Sequence, residues 1–353
     1  MKEMTAYERT KRMFEHKEAD RIPIIDSPWG GTVRNWRKQG MLRRDWRDCF
    51  GVDKWEGVSG NYSPRFEYKT IEDTPDYYIA TNEWGVTAKQ FKKMDSTPEF
   101  LDFKINKDSW YDIKKRMQFD TGRINLNNVR RNIAGWRKDG RWIQAIFWFG
   151  FDVSHSWMVG TESVLLDLAL DPDWLYDLFK TCLEGNIAVH QYLYDNGCRL
   201  DAVHWPDDMG YRDTQFFSEK TYCEMLKPLQ KQACDWAHSH GMYTHLHSCG
   251  NIMPFVPHLA EIGIDLLSPL EVKAGMKPAE LKQKFGGRMS FMGGINAAHM
   301  HELDYVIAEM EALIPKMKEG GGYIFASDHS IPNVVTKKIY KTIVAKAKEL
   351  GRF

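Results

Sequence analysis

The sequence predicts an α/β chain folded as a closed (β/α)8 TIM barrel with N-terminal insertions, and three observations carry that prediction. In the second half, short apolar runs alternate with amphipathic helical stretches, the pattern of right-handed βαβ units building a parallel sheet. Several runs end in polar residues, as strands covered on both faces do at their carboxyl ends. The length of 353 residues suits one such barrel with insertions, and no GxGxxG turn follows an early strand, which disfavours a doubly wound open sheet.

Taken in order, a helix over about residues 5–16 precedes a strand at 20–26. From about 30 to 141 the rhythm is poor. There, residues 77–81 and 84–88 read as a hairpin across Asn82-Glu83, and the region reads as insertions on a single barrel domain spanning 1–353. A strand starting at Trp142 and running to Phe149 is followed by helices over about 161–170 and 174–196, the second entered through Asp171-Pro172-Asp173 with Asp as cap and Pro in the first turn. Strands then begin near Leu200, Tyr243, Leu266, Met289 and Tyr323, separated by helices over about 218–240, 254–262, 278–285, 301–318 and 334–350. Seven strands are clear, and barrel closure requires an eighth hidden before Trp142.

The composition narrows the function classes. The chain has 48 basic and 48 acidic residues, a balance that points away from nucleic acid or an anionic membrane as partner. Six scattered cysteines without a CxxC pair do not form a disulfide framework, and the N-terminus runs into a charged helix rather than a signal peptide. A reducing cytoplasm is the expected location.

Active sites of such barrels lie at the carboxyl ends of the strands. Those ends offer Asp26, Ser27 and Trp29; Phe149, Asp152 and His155; His204, Asp207 and Asp208; His247 and Cys249; Glu271; Asn296; and Asp328 with His329. His247 and Cys249 are the most telling pair. Two residues apart on one strand, they share a face, and an imidazole beside a thiol is half of a zinc site. His329, at the end of the last strand, is the expected third ligand, with Asp328, Asp208, Glu271 and His245 able to take its place. Asp207, Asp208 and Glu271 are candidates for catalytic proton transfer or for orienting a metal-bound histidine. Trp29, Trp84, Trp148, Phe149 and Trp157, with His204, are candidate substrate-binding walls for an aromatic or methylated-amine ligand. Gly320-Gly321-Gly322 reads as a tight turn, and Gly293-Gly294 as a place where a ligand or another backbone comes close.

A run of fragments in fixed order then resembles the uroporphyrinogen decarboxylase superfamily, and within it the zinc- and corrinoid-dependent methyltransferases. They are Ala19-Asp20-Arg21-Ile22-Pro23, Asn82-Glu83-Trp84-Gly85-Val86, Asp207-Asp208-Met209-Gly210, His247-Ser248-Cys249-Gly250-Asn251, Gly263-Ile264-Asp265-Leu266-Leu267-Ser268, Gly320-Gly321-Gly322-Tyr323-Ile324 and Ile331-Pro332. The resemblance implies a (β/α)8 barrel, a zinc held by the His-x-Cys pair and a corrinoid (cobalamin) carried by a separate partner protein. It also implies a small methyl donor or acceptor, such as an aromatic methyl ether undergoing O-demethylation, a methylamine, a betaine or a thiol, and a possible homodimer. Two departures matter. Porphyrin decarboxylases carry Arg-Gln-Ala-Gly-Arg after the first strand, where this chain has Asp26-Ser27-Pro28-Trp29-Gly30-Gly31. The methyltransferase branch adds a Cys near the end of the last strand, where this chain has Ser327-Asp328-His329-Ser330. A metal-free decarboxylase or other lyase is the second expectation, and a non-catalytic corrinoid or tetrapyrrole binder the third.

Overall fold

The computed structural model describes residues 3–93 and 97–353. In chain order its strands are β1 (Trp55–Val58), β2 (Lys69–Asp73), β3 (Tyr77–Thr81), β4 (Val86–Phe91), β5 (Glu99–Phe103), β6 (Trp142–Ile146), β7 (Ala202–Pro206), β8 (Gly210–Tyr211), β9 (Thr214–Gln215), β10 (Tyr243–His247), β11 (Leu266–Ser268), β12 (Ser290–Met292) and β13 (Tyr323–Ile324). Seven of them form one parallel sheet in the order β1-β6-β7-β10-β11-β12-β13. The segment after the first helix closes the curl. Ile24 bridges Phe325 in parallel fashion, and on its other side the Ile24 carbonyl accepts the Asp53 N–H at 3.0 Å, just before β1. Seven strands and this short stave make the expected TIM barrel.

The hidden eighth strand is β1, whose Trp-Glu-Gly-Val pairs with Trp142–Ala145 of β6. Strands β2 to β5 form a separate antiparallel sheet within the N-terminal insertions. The expected hairpin is β3–β4, with Asn82 turning the chain by accepting the N–H groups of Trp84 and Val86. The helix expected over 218–240 is two helices, Glu219–Met225 and Lys227–Ser239, because Pro228 falls in the first turn of the second and cannot continue the first. Asp171 stands at the start of Pro172–Asp195 but makes no capping bond, since its carboxylate pairs with Lys107 instead.

The amino-terminal end of the barrel is plugged. Phe14, at the end of the helix Ala6–Phe14, stacks on Trp142 at 5.1 Å and on Tyr243 at 4.7 Å, the first residues of β6 and β10. A buried ion cluster fastens that helix to the closing stave. Arg9 reaches Asp20 and Asp53, each at 2.6 Å, while Arg21 reaches Asp53 at 2.7 Å. Asp53 also accepts the Ile24 N–H at 2.8 Å. The Asp20-Arg21 pair of the sequence motif is thus part of the barrel seam. No helix of the described residues is long and apolar enough to cross a membrane.

Candidate functional site

Parallel register builds the site. His247 of β10 is level with Pro206 of β7, so Asp208 and Cys249, each two residues beyond, emerge side by side. The Cys249 N–H donates to Asp208 Oδ1 at 2.8 Å. Cys249 Sγ lies 3.3 Å from His247 Nε2, and that nitrogen lies 3.7 Å from Asp208 Oδ1. One sulfur, one nitrogen and one oxygen, all within 4.8 Å of one another, are a ligand set for a divalent cation. The loops can converge because Gly250, at φ 76°, lies against Gly210; a Cβ on Gly250 would sit 2.4 Å from the Gly210 carbonyl carbon.

The electrostatics fit a cation at this point. Burial pushes the Cys249 thiol well up, and Asp208, Glu271 and Asp152 push it further. A thiol enclosed by carboxylates stays protonated on its own, and a bound cation is what reverses that preference.

Asp208, His247 and Cys249 form one wall of a cavity of about 410 Å³. The facing wall carries Asp26, Ser327 and Trp29, with His329 and Ser330 beside them. Among the described residues no arginine or lysine lines this cavity. Asp26 accepts from the Ser327 hydroxyl at 2.5 Å and from Tyr340 at 3.3 Å. Burial lifts its carboxyl to about 6 despite those donors. Its position at the mouth was readable from the sequence, but its partners lie 301 and 314 residues away.

The cluster of three differs from the expected one in its third member, which is Asp208 rather than His329. β7 is the immediate neighbour of β10, whereas β13 is three strands away. His329 still lines the cavity, with its ring 6.2 Å from Trp29. His245 and Glu271 are engaged elsewhere, and Asp328 is engaged through Oδ1 alone, its buried Oδ2 having no hydrogen-bond partner among the described residues. Asp328 accepts the Ala297 N–H at 2.8 Å, and the His245 ring lies between Gln144 and Ser268 at 3.0 and 2.8 Å. Glu271 accepts the Gly250 N–H at 2.5 Å and pairs with Lys273 at 3.2 Å, so it supports the Cys249 loop from behind.

Asp207 is placed differently from its neighbour. It is fully buried, accepts the Asp152 N–H at 3.0 Å and Gln230 at 2.9 Å, and anchors the helix Phe151–Trp157. Burial raises its carboxyl to about 7. Its oxygens are committed to these donors and it does not line the cavity, so the structure gives it no direct proton transfer to a ligand there. Gly150, at φ 95°, makes room for it: a Cβ there would lie 2.5 Å from Asp207 Oδ2. Beside it, burial, then Asp208 and Asp207, raise Asp152 to about 8, while burial lowers His155 to about 4.

The aromatic candidates separate into three groups. Trp29 lines the thiol cavity, while Trp84, Trp148 and Trp157 line a second cavity of about 230 Å³. Phe149 is wholly buried against Trp205 and serves the core. His204 sits one layer below His247 in the barrel, with its ring 4.2 Å from that of His245. Burial, aided by His247, lowers it to about 3, so it stays neutral. Gly293 admits the Pro269 carbonyl, a backbone approach rather than a ligand approach.

A model of the uroporphyrinogen decarboxylase (URO-D) family matches residues 154–350, more than half of the chain. No curated protein matches the chain. Among solved structures, a methyltransferase from Methanosarcina mazei superposes with a TM-score of 0.67 at 17% identity, covering 98% of this chain and 99% of that one. A ruminal GH26 endo-beta-1,4-mannanase gives a TM-score of 0.46 at 11% identity, covering 99% of this chain and 66% of that one. At these identities the first likeness shows a shared fold.

Proposed function

The chain belongs to the uroporphyrinogen decarboxylase (URO-D) family, and from that premise we propose a zinc-dependent methyltransferase that moves a methyl group between a small methylated substrate, or a thiol, and a corrinoid on a separate protein. The observation that carries this reading is the grouping of Asp208, His247 and Cys249 on one wall of the cavity at the carboxyl ends of β7 and β10. These three residues would hold the zinc. A zinc there supplies Lewis acidity, which weakens a methyl–heteroatom bond or favours a thiol acceptor as its thiolate.

The remaining work belongs to the chain's own residues. Asp26 faces the cluster across the cavity and holds a proton on its carboxyl up to about pH 6, so it is placed to give a proton to a leaving heteroatom. Ser327 and Tyr340 fix its orientation. Asp207 holds the helix that packs behind Asp208, and Trp29 supplies an apolar wall for the substrate. The family description favours decarboxylation as a second reading. The lack of cationic side chains around the cavity, among the described residues, weighs against a substrate bearing many carboxylates.

Metal analysis of the purified protein tests the proposal. About one zinc per chain is expected, lost in Cys249→Ala, together with conversion of reduced cobalamin to methylcobalamin by a suitable donor, followed by its visible spectrum. A protein with neither bound zinc nor zinc affinity would overturn it.

A further inference from the structure

The second cavity is set apart from the thiol cavity and has its own chemistry. Trp84, Trp148 and Trp157 line it together with Tyr62, Asn61 and the carboxylate of Glu83. Among the described residues, none of these three indoles pairs with another. Among the described residues the one ring contact they make is Trp157 with Phe100 at 5.8 Å, so, although all three pack against the core, no aromatic ring stacks on them. Cations of the chain cover other rings, such as Lys89 over Tyr77 and Arg116 over Phe66, but none covers these three among the described residues. Among the described residues no lysine or arginine lines the cavity, so its one formal charge is negative.

The walls are held in place before any ligand arrives. The Asn186 side chain clamps both backbone groups of Trp148, accepting its N–H at 2.9 Å and donating to its carbonyl at 3.0 Å. Tyr62 accepts the Gly60 N–H at 2.9 Å and donates to the Ile146 carbonyl at 2.8 Å. Asn61 donates to Glu83 at 2.8 Å, fixing the carboxylate at the rim. Preorganised electron-rich faces and one carboxylate select a cation with an apolar surface, and a volume of about 230 Å³ suits a compact head group.

We propose that this cavity binds a methylated ammonium group, with Trp84, Trp148 and Trp157 as its cage and Glu83 as its counter-charge. The binding stands on the cavity alone; that the bound cation belongs to the substrate of the enzyme rests on the methyltransferase reading. The cage adjoins the end of the helix Phe151–Trp157, whose first turn is held by Asp207 beside the metal-site candidate Asp208.

Titration of the full-length protein with choline, followed by tryptophan fluorescence and calorimetry, tests this against the neutral tert-butyl isostere of choline. Saturable binding of choline is expected, with the isostere weaker by about tenfold or more. Glu83→Gln should weaken choline severalfold and leave the isostere unchanged, and Trp148→Leu should weaken choline about tenfold. Equal binding of the two ligands, or no saturable binding of choline, overturns the proposal. If Trp148→Leu does not fold, as judged by circular dichroism, the ligand comparison and Glu83→Gln decide. Zinc is measured on the same preparation. Metal-free protein that binds choline supports the cage while defeating the methyltransferase reading, and zinc-loaded protein indifferent to choline defeats the cage alone.

Discussion

Asp53→Asn removes a single negative charge from the barrel seam and nothing else of comparable size. The Asp53 side chain is 2% exposed and accepts from Arg9 at 2.6 Å, from Arg21 at 2.7 Å and from the Ile24 N–H at 2.8 Å. Arg9, itself 3% exposed, keeps Asp20 at 2.6 Å, but Arg21 loses its carboxylate. Breaking a buried pair in this way costs about 3–5 kcal/mol, because a guanidinium is left in a low-dielectric site without its counter-charge. Set against a total stability of about 5–15 kcal/mol, that is a large fraction. Urea unfolding followed by circular dichroism should show a lower midpoint with an unchanged slope. As a comparison, Lys231→Gln breaks an ion pair whose two side chains are 56% and 61% exposed, and should cost about 0.5 kcal/mol or less. If Asp53→Asn costs no more than Lys231→Gln, the seam is not held by this cluster and the account of closure fails.

Three further outcomes follow from the same geometry. Gly150→Ala forces a β-carbon against the Asp207 carboxylate at a positive-φ backbone position, and should cost about 2–5 kcal/mol in the same unfolding assay; a neutral result would show that Asp207 has room to move. Burial would raise Asp20, but hydrogen bonds from Arg9 and the Met4 N–H hold it down to about 2. Its folded value lies below the unfolded one, so its contribution is present above about pH 4 and is lost as pH falls toward 2, and Asp20→Asn should flatten that acid limb. Asp26 runs the other way: its value is raised to about 6, so the native state is penalised as pH climbs from about 4 through 6. Asp26→Asn should therefore gain stability above pH 6 and match the parent near pH 4, and equal melting temperatures at both pH values would count against a raised Asp26 carboxyl.

Much of the barrel was legible because its strands announce themselves twice, by apolar runs and by the helices between them. β1 was not, since Trp-Glu-Gly-Val is four residues with a mixed pattern, and only the need for an eighth strand pointed to it. β2 is exposed at every position, so it has no inward face for a hydrophobic period to reveal. At the site, the two-residue period placed His247 and Cys249 together. That Asp208 rather than His329 stands beside them follows from the register of β7 against β10, a property of strand pairing that neither strand encodes alone. The same limit applies to Asp207 and Asp208, adjacent in sequence yet one sealed behind the wall and the other on it. The aromatic residues were recognisable as ligand walls, but their division between two cavities depends on loops far apart in the chain.

The stacking of Phe14 on Trp142 and Tyr243 bears on kinetics as well as on packing. A cylinder corked at one end has a single doorway. A small substrate and a macromolecular partner that both use it must queue, and a docked protein bars the passage behind it. Under the proposed methyl transfer at the opposite mouth, the small molecule would enter before a partner protein docks and leave after it departs. Initial-rate patterns should then show compulsory order, with excess partner inhibiting competitively toward the small substrate.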